Sequence, residues 1–323
     1  MNLIKNIQKN YYKKLFDELL KAENYKQLVL DLKALSDKDI KLFSNIAFRY
    51  IAKIYNNYTA DDFLNKNLIW LNSFQKDDIK IIKNFLEFYL PNTFDQEFEI
   101  LDFSQELSGF FQILNETEKN ISFGKVLDVN EIVQFLISQK NKKFKFIINN
   151  GAFFEIVETK KYFTYTNISC SYVYIIRNPI GIYQDLCNQN ISKEESLNRV
   201  LYLDGRNQIF DNGHYQIEEN NQSWETNVNS WTNENVLNTF NGLLIKYENL
   251  SDDSIQIFAE LIAHLNMSGL NIELDYEKIQ EFVSTQQENS QFIANSPMQI
   301  SNNTKKLFSR QYGATAKKFL YDF

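Results

Sequence analysis

Short apolar runs that alternate with amphipathic stretches are the feature of this sequence that most constrains its fold. The amphipathic stretches carry apolar residues three and four apart and lie near 79–90, 129–140, 193–203 and 252–265. The apolar runs cover residues 68–71, 144–148, 173–176 and 243–247. Predominantly apolar runs of this length are typical of strands buried on both faces, and strands that alternate with helices form parallel sheets. The sequence therefore predicts a three-layer α/β fold with a central, mostly parallel sheet.

The first 62 residues show a helical pattern instead. Apolar residues recur at three- and four-residue steps in two runs, which are Ile4, Ile7, Tyr11, Leu15 and Leu19, and then Ile40, Phe43, Ala47, Ile51 and Ile54. Both runs are amphipathic, so we expect them to pack on each other or on the rest of the chain. We predict a helical extension over residues 1–62 and an α/β domain over residues 63–323.

Charge and composition exclude several classes of function. The net charge is -7 and the pI is about 5.1, whereas proteins that bind nucleic acids carry a basic patch to neutralise phosphates. The two cysteines, Cys170 and Cys187, are not spaced as a zinc site or a redox pair. No apolar run approaches the roughly 20 residues of a membrane-spanning helix. We expect a cytoplasmic protein that binds neither nucleic acid, membrane nor metal.

Four segments occur in an order that points to one known family. Residues 70–80 read Trp-Leu-Asn-Ser-Phe-Gln-Lys-Asp-Asp-Ile-Lys, and residues 146–152 read Phe-Ile-Ile-Asn-Asn-Gly-Ala. Residues 174–179 read Tyr-Ile-Ile-Arg-Asn-Pro, and a segment with two tryptophans at 223–231 precedes Leu-Ile-Lys-Tyr-Glu-Asn-Leu at 244–250. Together they resemble the sulfotransferases that use 3′-phosphoadenylyl sulfate (PAPS) as the sulfate donor.

The resemblance implies a fold and a cofactor site. The family has a P-loop-like α/β fold in which a strand leads into a phosphate-binding loop, and Lys76 is the residue of that loop retained here. The family's Arg-Asn-Pro segment places its arginine on the 3′-phosphate of the cofactor, and Arg177 is the residue at that position. The resemblance therefore implies PAPS, or its product 3′-phosphoadenosine 5′-phosphate (PAP), as the ligand of Arg177 and Lys76.

The phosphate loop departs from the family pattern. A phosphate loop works because glycine lets successive backbone N–H groups approach the anion at a helix N-terminus. Here Asp77 and Asp78 replace the serine and the glycine, and Lys80 replaces the threonine. A carboxylate about 4 Å from a phosphate costs roughly 4 kcal/mol at an effective dielectric near 20. A second interpretation needs no ligand, because acidic residues in the first turn of a helix complement its dipole.

The catalytic position and the 3′-phosphate site are also changed. The family uses a histidine as the base that removes the acceptor's hydroxyl proton, and Asn150 occupies the matching position. Where the family has a serine on the 3′-phosphate, this chain has Asp185, which a solvated helix position would also explain. We consider Glu155 and His214 as substitute bases, and we interpret His264 as a helix-surface residue.

These substitutions lead to two hypotheses about function. The structural positions of the resemblance are kept whereas the ligand-facing positions are changed, which favours a catalytically degenerate pseudoenzyme retained for binding or scaffolding. Its partner would be a protein or a glycan, held by the N-terminal helices or by the vestigial cleft. The alternative is an active sulfotransferase with a diverged donor site, which transfers sulfate to a hydroxyl of a glycan or a small molecule. A strand at 66–73 not followed directly by a helix would instead indicate another α/β protein.

Overall fold

A computed structural model describes most of the predicted α/β domain. The described residues are 11, 14, 66–103, 134, 137–138, 143–151, 155–156, 161–162, 168–201, 223–288 and 300–323. Tyr11 and Lys14 are helical and exposed. The rest of the predicted helical extension, 1–62, lies outside the described residues, so that extension and its boundary stay predictions.

Five parallel strands form the central sheet in the order β2-β3-β1-β6-β7. Their bounds are Leu68–Ser73 for β1, Phe98–Asp102 for β2, Phe144–Asn149 for β3, Ser169–Ile176 for β6 and Gly242–Lys246 for β7. A separate antiparallel pair is formed by β4, Glu155–Ile156, and β5, Lys161–Tyr162. The predicted α/β class with a parallel sheet is confirmed.

Helices cover both faces of the sheet. They are α1 (Ile79–Tyr89), α2 (Pro179–Asn188), α3 (Lys193–Leu201), α4 (Trp224–Trp231), α5 (Glu234–Thr239), α6 (Ser254–Met267), α7 (Tyr276–Glu288) and α8 (Asn302–Lys318). The apolar residues of α2, α3, α4 and α8 join one core cluster, and those of α1, α6 and α7 join the other. The predicted three layers are therefore present.

Strand β1 shows why these residues form a central strand. All six of its residues are buried, and they alternate between the two core clusters, with Leu68 and Trp70 on one face and Ile69 and Leu71 on the other. A strand between two helical layers must be apolar on both faces, which explains its continuous apolar run. The strand leads through a 3-10 turn, Lys76–Asp78, directly into α1. The alternative of another α/β protein would have been indicated by a strand here without a helix directly after it. This alternative is not supported.

Each core cluster has an aromatic centre. On one face, Phe85 stacks on Phe258 with ring centroids 4.2 Å apart, and Phe282 packs edge-on against both. On the other face, Trp224 and Trp231 of α4 are fully buried. Tyr172 donates a hydrogen bond of 2.5 Å to the Trp231 carbonyl, which fixes α4 against β6.

Gly242 at the start of β7 is predicted to be intolerant of any side chain. A Cβ built there would lie 2.3 Å from Cζ and 2.5 Å from the hydroxyl oxygen of buried Tyr172. The tyrosine cannot move without losing its bond to Trp231, so Gly242→Ala should destabilise the fold by about 1–3 kcal/mol in urea unfolding.

Gly313→Ala in α8 is the matched control for this prediction. A Cβ there meets the Ser309 hydroxyl oxygen at 3.7 Å, an ordinary contact, and alanine inside a helix is favoured over glycine by about 0.5–1 kcal/mol. We expect the control to be neutral or stabilising. Equal stability of the two variants would contradict the packing described at Gly242.

Candidate functional site

The carboxyl end of β1 is the point where the order of the sheet reverses. After β1 the chain adds β2 and β3 on one side and then β6 and β7 on the other. In open α/β sheets, ligands bind in the crevice at such a switch point, outside the carboxyl ends of the strands. The residues that follow β1, β3 and β6 therefore define the candidate site.

Arg177, directly after β6, is the centre of this site. Its Nη1 donates to the Asp78 carboxylate at 2.9 Å, and its Nη2 forms a second ion pair with Asp185 of α2. The guanidinium also lies over the ring of Tyr247, 4.2 Å from the centroid. Its side chain is only 11% exposed. Two carboxylates and one aromatic face thus surround the cation predicted to bind the 3′-phosphate.

Asp78 is a buried acid at the N-terminus of α1. It is 2% exposed and accepts hydrogen bonds from Arg177 and, at 3.2 Å, from the Ser73 hydroxyl. Burial raises the pKa of its carboxyl from 3.8 to about 6, although the charge and hydrogen bonds of Arg177 act in the opposite direction. Asp78 is therefore mainly ionised at neutral pH.

The two neighbouring acids of the phosphate-loop segment have different surroundings. Asp77 has a 57% exposed side chain and pairs with Lys80 at 2.7 Å, as the ligand-free interpretation of the helix start expects. Asp78 turns inward to Arg177. The solvated interpretation of Asp185 is wrong, because that side chain is largely buried against the same guanidinium.

Lys76, the other cation predicted to bind the cofactor, also meets a carboxylate. Its Nζ forms an ion pair with Asp102 at the end of β2. With Arg177, Asp78 and Asp185, this makes two cations and three carboxylates at one edge of the sheet. Each of these two cations thus has a carboxylate of the chain at the position where a phosphate would bind.

Asparagines occupy the end of β3, where the resemblance to sulfotransferases predicts a catalytic base. The Gly151 N–H donates to Asn149 Oδ1 at 3.1 Å, which orients Asn149 Nδ2 towards Asn72 Oδ1 at 3.0 Å. Asn72 is fully buried, and its Nδ2 has no hydrogen-bond partner among the described residues. A buried donor left unpaired costs about 1–3 kcal/mol. The pair provides amide donors and acceptors but no group that titrates near neutral pH.

Helix α4 holds the backbone of this strand end in place. Asn227 donates to the Asn150 carbonyl at 3.0 Å and accepts from the Tyr174 hydroxyl at 2.7 Å. The Trp231 indole donates to the Gly151 carbonyl at 2.9 Å, and that of Trp224 donates to the Arg177 carbonyl at 2.9 Å. The sequence analysis did not find Asn227, whose only signal is its place one turn after Trp224.

The start of α2 is fixed by a second set of bonds. The Asn178 side chain caps the helix by accepting from the Ile180 N–H at 2.9 Å. Its backbone N–H donates to Glu248 at 2.8 Å, and Glu248 also accepts from the Tyr321 hydroxyl at 2.8 Å. These contacts hold the turn that carries Arg177 against the end of β7 and the C-terminal residues.

The candidate bases are not brought to this site by the described residues. His264 lies in α6 and is 7% exposed, so its interpretation as a helix-surface residue is wrong, and burial lowers its pKa. Glu155 begins β4, but its side chain is outside what the structure describes. His214 lies outside the described residues altogether. The described ranges contain no group of three or more His, Cys, Asp or Glu placed to hold a metal ion.

No helix within the described ranges has both the length and the apolar character needed to cross a membrane.

No protein-family model and no curated protein matches the chain. Its structure is similar to the crystal structure of mouse sulfotransferase SULT7A1 complexed with PAP, with a TM-score of 0.43 and 14% sequence identity. That match covers 78% of this chain and 85% of the mouse chain.

The raised pKa of Asp78 predicts a specific pH dependence of stability. Because the folded pKa of about 6 exceeds the ordinary 3.8, the folded protein binds the extra proton between these values. The contribution of Asp78 to stability is therefore complete below pH 3.8, and it is lost as the pH rises through about 6. We expect the free energy of unfolding of the native protein, relative to Asp78→Asn, to fall between about pH 4 and pH 7.

The measurement is urea unfolding of the two proteins at a series of pH values. Asp77→Asn is the matched control, since it removes an exposed carboxylate from the same turn. A native protein that gains stability over Asp78→Asn as pH rises would mean that the pair with Arg177 outweighs the burial of Asp78.

Proposed function

We propose that this chain is a sulfotransferase-like protein whose donor site no longer binds PAPS or PAP, and that it acts as a binding or scaffolding module. The observation that carries the proposal is the double ion pair of Arg177 with Asp78 and Asp185. These carboxylates stand at the positions where the family resemblance places a phosphate-loop glycine and a phosphate-binding serine.

The convergence of two distant substitutions supports this proposal. Asp78 follows β1 and Asp185 lies in α2, yet both carboxylates reach the same guanidinium. They supply the negative charge that a 3′-phosphate would supply to an arginine. Arg177 is thereby given a structural role, which explains its retention after the residues around it have changed.

Electrostatics opposes a phosphate at this position. An anion approaching Arg177 would come close to both carboxylates, and a charge pair about 4 Å apart repels by roughly 4 kcal/mol at an effective dielectric near 20. Displacing Asp78 instead would leave a carboxylate that is 2% exposed without its cation. Breaking a buried pair in this way typically costs about 3–5 kcal/mol.

The residue at the catalytic position supports the same proposal. Transfer of a sulfuryl group to a hydroxyl requires a base that accepts the hydroxyl proton. The strand end carries Asn149 and Asn150 instead, and their amides cannot accept a proton at neutral pH.

Thermal unfolding with and without PAP tests the proposal. We expect no shift for the native chain at millimolar PAP. In Asp78→Gly/Asp185→Ser, which restores the family's residue types around Arg177, we expect PAP to stabilise the fold. Saturation at 100 times the dissociation constant adds about 2.7 kcal/mol, a shift of several degrees.

Two controls separate this effect from a general change of charge. Asp77→Gly/Glu195→Ser removes two acids that pair with Lys80 and Arg199 and do not contact Arg177, so PAP should leave it unshifted. Adding Arg177→Ala to the restored variant should abolish its shift. A native chain that PAP stabilises, with the effect lost in Arg177→Ala, would overturn the proposal in favour of the active enzyme.

A further inference from the structure

A groove with an apolar floor, the α6–α7 groove, lies between α6 and the segment leading into α7. Its volume is about 670 Å³. The floor is formed by Ile255 and Ala259 of α6 and, opposite them, by Leu274 and Tyr276. The groove lies outside the Arg177 cluster, so an inference drawn from it goes beyond the function proposed above.

The α6–α7 groove leaves large apolar side chains in contact with solvent. Seven large apolar side chains of the described residues are exposed, and Ile255, Leu274 and Tyr276 of this groove are three of them. Tyr276 is 58% exposed and Leu274 is 40% exposed. Apolar surface of this kind with a polar rim typically marks a contact with another molecule, because its burial is favourable.

Three carboxylates line the groove beside this apolar surface. They belong to Asp252, Asp253 and Glu260, and all three residues are exposed. Asp252 accepts a hydrogen bond from Ser251, and Glu260 accepts one from Gln256, but none of the three forms an ion pair with a described residue. The described residues that line the groove include no lysine and no arginine. The groove therefore favours an apolar side chain that is flanked by cations.

Leu320, just after α8, supplies such an apolar side chain. It is 84% exposed, which makes it the most exposed of the seven apolar residues. Its φ angle is 59°, in the left-handed region where glycine is the usual residue after the end of a helix. Leucine at this position is unfavourable for the backbone, and in a single chain most of its surface stays in water. A contact that buries Leu320 would offset both effects.

Two lysines flank Leu320 in the last turn of α8. Lys317 and Lys318 are exposed, and neither forms an ion pair with a described residue. Cations in the last turn also complement the helix dipole, but that role requires no leucine beside them. Residues 317–320 thus combine one exposed apolar side chain with two cations, and the α6–α7 groove combines an apolar floor with three carboxylates.

Within one copy of the chain, Leu320 is held away from the α6–α7 groove. Its neighbours Ala316 and Tyr321 are buried in the core cluster on one face of the sheet, whereas α6 and α7 pack on the other face. The Tyr321 hydroxyl also donates to Glu248 at 2.8 Å. Leu320 could reach its own groove only if these contacts broke, so the groove that it fits is that of another copy.

We propose that residues 317–320 of one copy of this chain dock into the α6–α7 groove of a second copy. Leu320 lies on the apolar floor, and Lys317 and Lys318 pair with the three carboxylates. Because the two surfaces are different, the contact joins copies head to tail and produces rings or open chains. The contact does not involve Arg177, so it forms whether or not the donor site binds a nucleotide.

Sedimentation velocity of the full chain over a wide concentration range tests this proposal. We expect self-association that increases with concentration and weakens as salt rises, because exposed charge pairs are screened. Leu320→Gly should weaken association by about tenfold or more, since the contact then loses a buried leucine side chain. The same variant should keep or gain stability in urea unfolding, because glycine adopts a positive φ without steric cost.

Met267→Ala is the matched control for the loss of an exposed apolar side chain. Met267 is 77% exposed and does not line the groove, so this variant should associate as the native chain does. A Leu320→Gly variant that associates as strongly as the native chain would show that Leu320 is not in the contact.

Reversal of the charges gives the decisive result. Asp252→Lys/Glu260→Lys in the groove and Lys317→Glu/Lys318→Glu after it should each lose self-association, since each variant then presents like charges on both surfaces. In a mixture of the two variants every groove meets residues 317–320 of opposite charge, so association should return. Lys305→Glu/Lys306→Glu, which reverses two other exposed lysines of α8, should associate as the native chain does. A native chain that is monomeric at every concentration, or a mixture that does not associate, overturns the proposal.

Discussion

The carboxyl edge of the sheet depends on the ion pairs of one guanidinium. Arg177 follows β6 and bonds to Asp78 at the start of α1 and to Asp185 in α2, and it lies over Tyr247 after β7. Arg177 therefore holds together the segments that follow three strands of the sheet, β1, β6 and β7. Because its side chain is only 11% exposed, the charge is tolerated only when it is paired. An anionic ligand that bound to Arg177 would displace Asp78 and Asp185, and the contacts between these segments would weaken.

These ion pairs make the cations at the sheet edge part of the fold. In a phosphate-binding site the cation is left unpaired by the protein, and the ligand completes it. Here Asp78 and Asp185 complete Arg177, and Asp102 completes Lys76. Both cations are therefore paired by carboxylates of the chain itself. The strands and helix ends at this edge are held together by these internal ion pairs.

The sequence predicted the sheet because buried parallel strands are continuous apolar runs, and β1 is the clearest case. It could not predict that Asp78 and Asp185 meet, since their contact depends on how α1 and α2 are placed on the sheet. Asp77 and Asp78 are adjacent in sequence, and only the direction of the 3-10 turn separates an exposed acid from a buried one. His264 was misassigned because a residue at the edge of an apolar stripe is buried or exposed according to the neighbours that pack on it.

The distribution of charge differs between two regions of the described structure. At the sheet edge, cations and carboxylates nearly cancel and most of the paired groups are shielded from solvent. Over α6 and the start of α7, seven exposed carboxylates stand against one lysine. Exposed charge of one sign acts at long range and selects partners by their charge, whereas a compensated and buried cluster acts only on its neighbours. Part of the net charge of -7 therefore lies on the outer face of α6 and α7, whereas the buried cluster around Arg177 contributes little to the field outside the molecule.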